Sequence, residues 1–123
     1  MADSGIEGDG PELDGVRTPL VLASRRAGIQ APIDGVSLSV SDMVQIESDA
    51  LRSRRWGFGA KLCIHPHQVD CVHRAFSSST EEIAWAHKVV QAMAGGQAGA
   101  VAVDGKLVDK PVLLRAQAIL SNL

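Results

Sequence analysis

Five thiol and imidazole side chains crowd one short stretch: Cys63, His65, His67, Cys71 and His73. Cysteine and histidine are the residues that hold zinc tetrahedrally. The spacing argues against it, because Cys-x-His-x-His on a strand and its exit lacks the paired cysteines and paired histidines of a structural site. Asp34, followed by Gly35, has two readings. It is a strand-end carboxylate able to position a substrate or a metal-bound water, or it is an Asx-turn that stabilises the bend. Asp109 stands just before Pro111, where an anion favours the start of a helix by about 0.3–1 kcal/mol. Lys61 could approach an acid or a phosphate, but at the start of its strand its stem would pack and its ammonium stay in water. Arg52, Arg54 and Arg55 either attract a phosphate or form a solvated helix end. Trp56 and Trp85 read as packing residues on helices rather than stacking platforms.

These residues must be positioned by a modest number of elements. Val16, Leu20, Ala23 and Ala27 recur at helical spacing over residues 13–27, with Pro19 expected to kink that helix or delay its start and Gly28 to stop it. Residues 31–36 read as a strand leading into a loop. Residues 42–56 read as a helix with Met43, Ile46 and Ala50 on one stripe, and Gly57 and Gly59 break it. Residues 61–64 read as a buried strand ending at His65-Pro66, and residues 67–75 as a short helix. Ser79 facing Glu82 is a capping box. It opens a helix with Ile83, Ala86, Val90 and Met93 on one face, ended by Gly95 and Gly96. Asp104-Gly105 between residues 100–103 and 106–108 predicts a tight hairpin, and Pro111 the first position of a last helix.

Apolar strands alternating with helices predict an α/β fold with a parallel sheet and right-handed crossovers. Only two such strands are present, too few to cover the surrounding helices. The chain therefore reads as part of a larger α/β fold, or as one that completes itself by oligomerising. Its 123 residues and 13.0 kDa allow one modest core. With 12 basic and 14 acidic residues the net charge is -2, which gives no reason to expect nucleic acid as the main partner, since a phosphate-tracking surface needs an excess of Lys and Arg. Aromatic residues make up 3%, so the core must be aliphatic and alanine-based. No apolar run approaches the roughly 20 residues of a membrane helix, and no secretory leader is visible. Two cysteines fit a reducing cytoplasm.

Three stretches carry a resemblance. The first is Leu20-Val21-Leu22-Ala23-Ser24-Arg25-Arg26-Ala27-Gly28 with Ala31-Pro32-Ile33-Asp34-Gly35-Val36. The second is Gly57-Phe58-Gly59-Ala60-Lys61-Leu62-Cys63-Ile64-His65-Pro66. The third is Val103-Asp104-Gly105-Lys106-Leu107-Val108-Asp109-Lys110-Pro111-Val112. Their order and separation resemble the C-terminal half of citrate lyase beta-subunit-like proteins, in the HpcH/HpaI aldolase group, over nearly the whole chain.

That resemblance implies the C-terminal part of a (β/α)8 barrel, a fold of about 250 residues, over residues 1–94, and a lid of hairpin and helix over residues 95–123. It implies a Mg²⁺-dependent carbon–carbon lyase acting on acyl-CoA thioesters of the citryl-CoA or malyl-CoA type, releasing acetyl-CoA and an oxo acid. Asp109 would be the catalytic acid/base, delivered to a neighbouring subunit's site in a homo-oligomer, a trimer in the resembling family. It would act on the acyl carbon or activate water for thioester hydrolysis. Pro32, Asp34 and His65 would face the substrate at the strand ends. The family's metal-binding Glu and Asp are absent, the Asp falling just before Met1 ahead of a stretch like Asp3-Ser4-Gly5-Ile6-Glu7-Gly8-Asp9-Gly10, so no metal ligand is assigned to this chain. It thus reads as a fragment, a truncated reading frame or a degenerate gene product. The rival reading is a non-catalytic interaction module that self-associates or complements a separate N-terminal half.

Overall fold

The computed structural model describes residues 5–8, 10–95 and 101–123. Asp3, Ser4 and Asp9 of the compared N-terminal stretch, and Gly96 and Ala100, lie outside them. The chain divides into two compact units, Met1–Ser77 and Ser78–Leu123. The division falls earlier than residue 94, because the helix that follows Ser79 shares its core with the hairpin and the last helix.

In the first unit a short 3₁₀ turn, Pro11–Leu13, leads into α1, Asp14–Arg26. Pro19 lies inside α1 without ending it. The buried face of α1 is Arg17, Val21 and Ser24, not the expected apolar stripe: Val16, Leu20, Ala23 and Ala27 are exposed. The cause is a buried carboxylate opposite Arg17, described below, which turns that side inward. Strands β1 (Ile33–Asp34) and β2 (Ala60–Lys61) pair in parallel, Ile33 opposite Ala60 and Asp34 opposite Lys61. Between them in sequence runs α2, Met43–Trp56, capped by the Asp42 side chain on the Gln45 amide at 3.1 Å. Helix α3, Pro66–Phe76, follows. Ile46 and Ala50 of α2 meet Cys71, Val72 and Ala75 of α3 in the core.

Both strands are shorter than expected. The ladder continues by one bond at each end, Gly59 N–H to the Pro32 carbonyl at 2.9 Å and Leu62 N–H to the Asp34 carbonyl at 3.1 Å. Residues 62–64 are not buried. Ile33, Leu62 and Ile64 are 58%, 55% and 55% exposed. Paired residues of parallel strands share a face and alternate residues return to it. Asp34 and Lys61 therefore face one way, and Ile33 and Leu62 the other. The helices occupy the Asp34 side; no described residue covers Ile33 and Leu62 enough to bury them.

Gly57 closes α2 with φ of 102°, a region that favours glycine. A Cβ there would lie 2.9 Å from Val21 Cγ1.

The second unit begins with the capping box: the Ser79 hydroxyl accepts from the Glu82 amide at 3.1 Å and the Ser79 amide donates to Glu82 Oε2 at 3.0 Å. Helix α4 runs Thr80–Ala94. Strands β3 (Val101–Val103) and β4 (Lys106–Val108) form the antiparallel hairpin, with Asp104 and Gly105 at φ of 49° and 77°. Two positive φ values give a turn whose twist matches the strands. Helix α5 runs Lys110–Ser121, one residue earlier than Pro111 suggested. Ala86, Val89, Val103, Val108 and Ala116 form the core. No described helix is long and apolar enough to cross a membrane.

Candidate functional site

The end of β1 is organised around Asp34, 6% exposed. Its Oδ1 accepts from Arg17 Nε at 3.3 Å and from the Gly35 amide at 2.8 Å, and its Oδ2 accepts from the Ser53 hydroxyl. Arg17, 8% exposed, also donates to the Gly10 carbonyl at 2.9 Å and to Asp14 Oδ1 at 3.3 Å. Burial pushes the Asp34 carboxyl up, but the hydrogen bonds from Ser53 and the Gly35 amide, with the Arg17 guanidinium, outweigh it. They hold the group below the usual carboxylate range. The Gly35 bond belongs to the turn reading; the Arg17 and Ser53 bonds make Asp34 the anchor joining β1 to α1 and α2.

Lys61 is half-buried, its stem packed and its ammonium at the exposed edge of the strand pair. Its Nζ donates to the Gly35 carbonyl at 2.6 Å. Burial moves the ammonium below the usual lysine range, with the Asp34 and Asp49 carboxylates opposing the shift. The strand register explains the placement, since Lys61 lies directly opposite Asp34 on the same face.

Gln68 on α3, 1% exposed, has no counterpart in the sequence expectations. Its amide nitrogen donates to the Ser37 and Ser39 carbonyls at 2.9 and 2.7 Å, and its oxygen accepts from the Ile64 amide at 2.8 Å. It fastens the segment after β1 to the segment after β2. Ser37 Oγ adds a bond to Asp49 Oδ2 at 2.7 Å. No sequence signal marks Gln68; only the fold brings its three partners together.

Of the residues singled out for substrate, Pro32 lies just before β1 and gives its carbonyl to Gly59. Asp34 ends the strand. His65, half-buried, is the N-cap of α3, its Nδ1 accepting from the His67 amide at 3.2 Å. The two imidazole rings stand 4.5 Å apart, edge to face. Cys71 is buried with its thiol toward the Met43 carbonyl, and Cys63 is exposed. Among the described residues no three of His, Cys, Asp and Glu are grouped to hold a metal ion. Arg54 donates to the Ala75 and Ser77 carbonyls at the end of α3, and Arg52 pairs with Asp49 at 3.6 Å, so two of the three clustered arginines serve the fold.

Asp109 follows β4, exposed, as the N-cap of α5: its Oδ1 accepts from the Val112 amide at 3.2 Å. Its Oδ2 has no protein partner among the described residues.

An apolar cleft flanks each strand. One of about 260 Å³ lies between α1 and β1, lined by Val16, Leu20, Ile33, Val36 and Phe58 with Arg17 and Asp34. The other, about 280 Å³, lies between β2 and α3, lined by Ala60, Val69, Val72 and Phe76 with the Lys61 stem.

No model of a known protein family matches the sequence. Individual proteins do. The chain is 36% identical over 105 residues to a citrate lyase subunit beta-like protein of Mycobacterium tuberculosis, covering 85% of this chain and 38% of that one. It is 34% identical over 117 residues to citrate lyase subunit beta of Escherichia coli, covering 93% and 38%. It is 33% identical over 104 residues to the human mitochondrial citramalyl-CoA lyase, covering 82% and 30%. The crystal structure of the Mycobacterium tuberculosis protein CitE in complex with magnesium, acetoacetate and coenzyme A superposes with a TM-score of 0.78 at 33% identity, covering 93% of this chain and 42% of that one. The chain thus spans less than half the length of the relatives it matches.

Proposed function

From its likeness to the citrate lyase subunit beta-like proteins, we propose that this chain is part of a carbon–carbon lyase acting on acyl-CoA thioesters. It forms late βα units of a (β/α)8 barrel, followed by a lid made of the hairpin and α5. The observation that carries this reading is the parallel β1–α2–β2 unit with an open apolar cleft at each edge. A sheet that continued on both sides would fill both clefts with neighbouring side chains, as a closed barrel does. Barrel active sites lie at the C-terminal ends of the strands, here the end held by Asp34, Lys61 and Gln68.

Pro32 and His65 belong to the substrate-facing rim. Asp34 acts from beneath, fixing that rim through Arg17 and Ser53, since both its oxygens are engaged. Asp109, from a neighbouring subunit, takes the proton of the substrate hydroxyl as the carbon–carbon bond breaks, that bond's electron pair passing to the acyl-CoA as its enolate, and returns the proton to the enolate's α-carbon. Its Oδ1 keeps the helix cap and its Oδ2 carries the proton. The substrate is a CoA thioester of the citryl, malyl or citramalyl type, giving an acyl-CoA and an oxo acid. Magnesium, present in the CitE complex, is assigned no ligand among the described residues: both oxygens of the strand-end carboxylate Asp34 are engaged in hydrogen bonds, and no three of the described His, Cys, Asp and Glu are grouped. Its ligands belong outside this chain, and the steps assigned here do not run through it. The two unpaired cysteines suit a cytoplasmic setting.

The test is a chimera in which this chain replaces the matching portion of the Mycobacterium tuberculosis relative, assayed for cleavage of the three thioesters. Cleavage is expected, and Asp109→Asn is expected to lower kcat by about 10²-fold or more with KM unchanged. A folded chimera inactive on all three, or an undiminished Asp109→Asn variant, would overturn the reading.

The exposed Ile33, Leu62 and Ile64 favour a second reading, a non-catalytic module that self-associates or complements a separate N-terminal half. Sedimentation of the isolated chain tests it: a monomer stable to dilution and indifferent to such a half rules it out.

A further inference from the structure

The second unit holds a cavity of its own, independent of the lyase reading. It measures about 220 Å³, smaller than the pockets that take drug-sized ligands. Its apolar lining is Val103, Leu107, Val108, Val112 and Trp85, with Val103 and Val108 buried beneath. Arg115 and Lys106 supply its charge. The Arg115 guanidinium lies 5.3 Å from the centre of the Trp85 ring, within cation–π range.

A guanidinium laid on an indole is held in place by the ring, yet its N–H groups lie in its own plane and remain available for an oxyanion. No carboxylate is among the described residues lining the cavity, and Arg115 and Lys106 have no acidic partner there. The nearby cation Lys88 is instead paired with Asp104 at 3.4 Å. An apolar lining that includes an aromatic ring, together with two uncompensated cations, defines a ligand with an apolar body and one anionic head.

We propose that this cavity is a binding site for a small organic oxyanion, a carboxylate or phosphate ester on a body about the size of one ring. Arg115 takes the head in its fork, Lys106 adds charge, and the body rests on the apolar lining against Trp85.

The probes are phenyl phosphate and benzoate, with inorganic phosphate and benzyl alcohol supplying the head and the body alone. The readout is the Trp85 indole N–H resonance in the ¹⁵N-labelled chain, distinguished from that of Trp56 by Trp56→Phe. Phenyl phosphate or benzoate is expected to shift the Trp85 signal saturably and leave Trp56 unmoved; the tighter probe identifies the head group. Inorganic phosphate and benzyl alcohol are expected to bind at least about tenfold more weakly, as is either probe to Arg115→Gln, the loss that follows removal of one charged hydrogen-bonding partner. Arg115 is exposed on its helix, so Gln there keeps the fold. Absence of a saturable Trp85 shift, equal affinity in Arg115→Gln, or equal affinity for benzyl alcohol overturns the proposal.

Discussion

Replacing Asp34 by asparagine removes one charge from the buried centre of the first unit and little else. The amide oxygen still reaches the Gly35 amide, and Ser53 accepts from the new nitrogen. What is lost is the ion pair with Arg17, whose side chain is 10% exposed against 8% for Asp34. Removing one partner of a buried pair costs about 3–5 kcal/mol. Arg17 retains the Gly10 carbonyl and Asp14, so the low end applies, about 3 kcal/mol. For a unit of this size each kcal/mol moves the midpoint by about 4–8 °C, giving a drop of roughly 12–24 °C. Urea and thermal unfolding followed by circular dichroism at pH 7 measure it. The pH dependence supplies the sign. Asp34 is depressed in the folded state, so its contribution is full above the unfolded carboxyl value of about 3.9. It shrinks as the pH falls past that value and vanishes below the depressed one. The margin of the native chain over Asp34→Asn should therefore be flat from pH 7 to about 5 and close below about 4. A loss under about 1 kcal/mol, or a margin that does not narrow in acid, would refute the buried-pair account.

Three further outcomes follow from the geometry. Asp109→Ala should lower the stability of the second unit by about 1 kcal/mol through its lost cap, while Asp109→Asn leaves it nearly unchanged because asparagine caps equally well; differential scanning calorimetry separates them. Gly57→Ala should cost about 1–3 kcal/mol, from its positive φ and the close approach to Val21, read as a lowered urea midpoint. Gln68→Met, similar in volume, should leave helix content intact but speed hydrogen exchange at the Ile64 amide by about five- to tenfold, since an amide released from a bond worth about 1–1.5 kcal/mol opens that much more often.

Local chemistry was the legible part. The Ser79–Glu82 box, the Asp104-Gly105 turn and the Gly57 stop each act within a few residues, and each is where its residues require. The parallel pairing of the two strands also followed from apolar stretches separated by a helix. Strand length and burial did not, because Leu62, Cys63 and Ile64 have the composition of buried residues whether or not anything covers them. The inward face of α1 was hidden for a similar reason. Val16, Leu20 and Ala23 carry the apolar period, but Arg17 is turned in by a carboxylate seventeen residues away. The strand-end position of Asp34 leaves open a positioning role and a turn; its anchoring role depends on Ser53 and Arg17, which no local pattern connects to it. Asp109 lies at an exposed corner after the hairpin, and its bond to the Val112 amide is the helix-start role that its place before Pro111 predicts, a reason for an acid there that does not involve catalysis.

Position 68 reads differently once its three bonds are considered as a question of vocabulary. The site asks for two hydrogens to give and one lone pair to receive, presented together at the tip of a two-carbon stem. Glutamate has the reach and can only receive. Lysine and arginine can only give. Asparagine has the right tip on a stem one carbon too short. Of the twenty letters available, a single one spells this joint, so the segments leaving the two strands are joined by a residue that has no synonym.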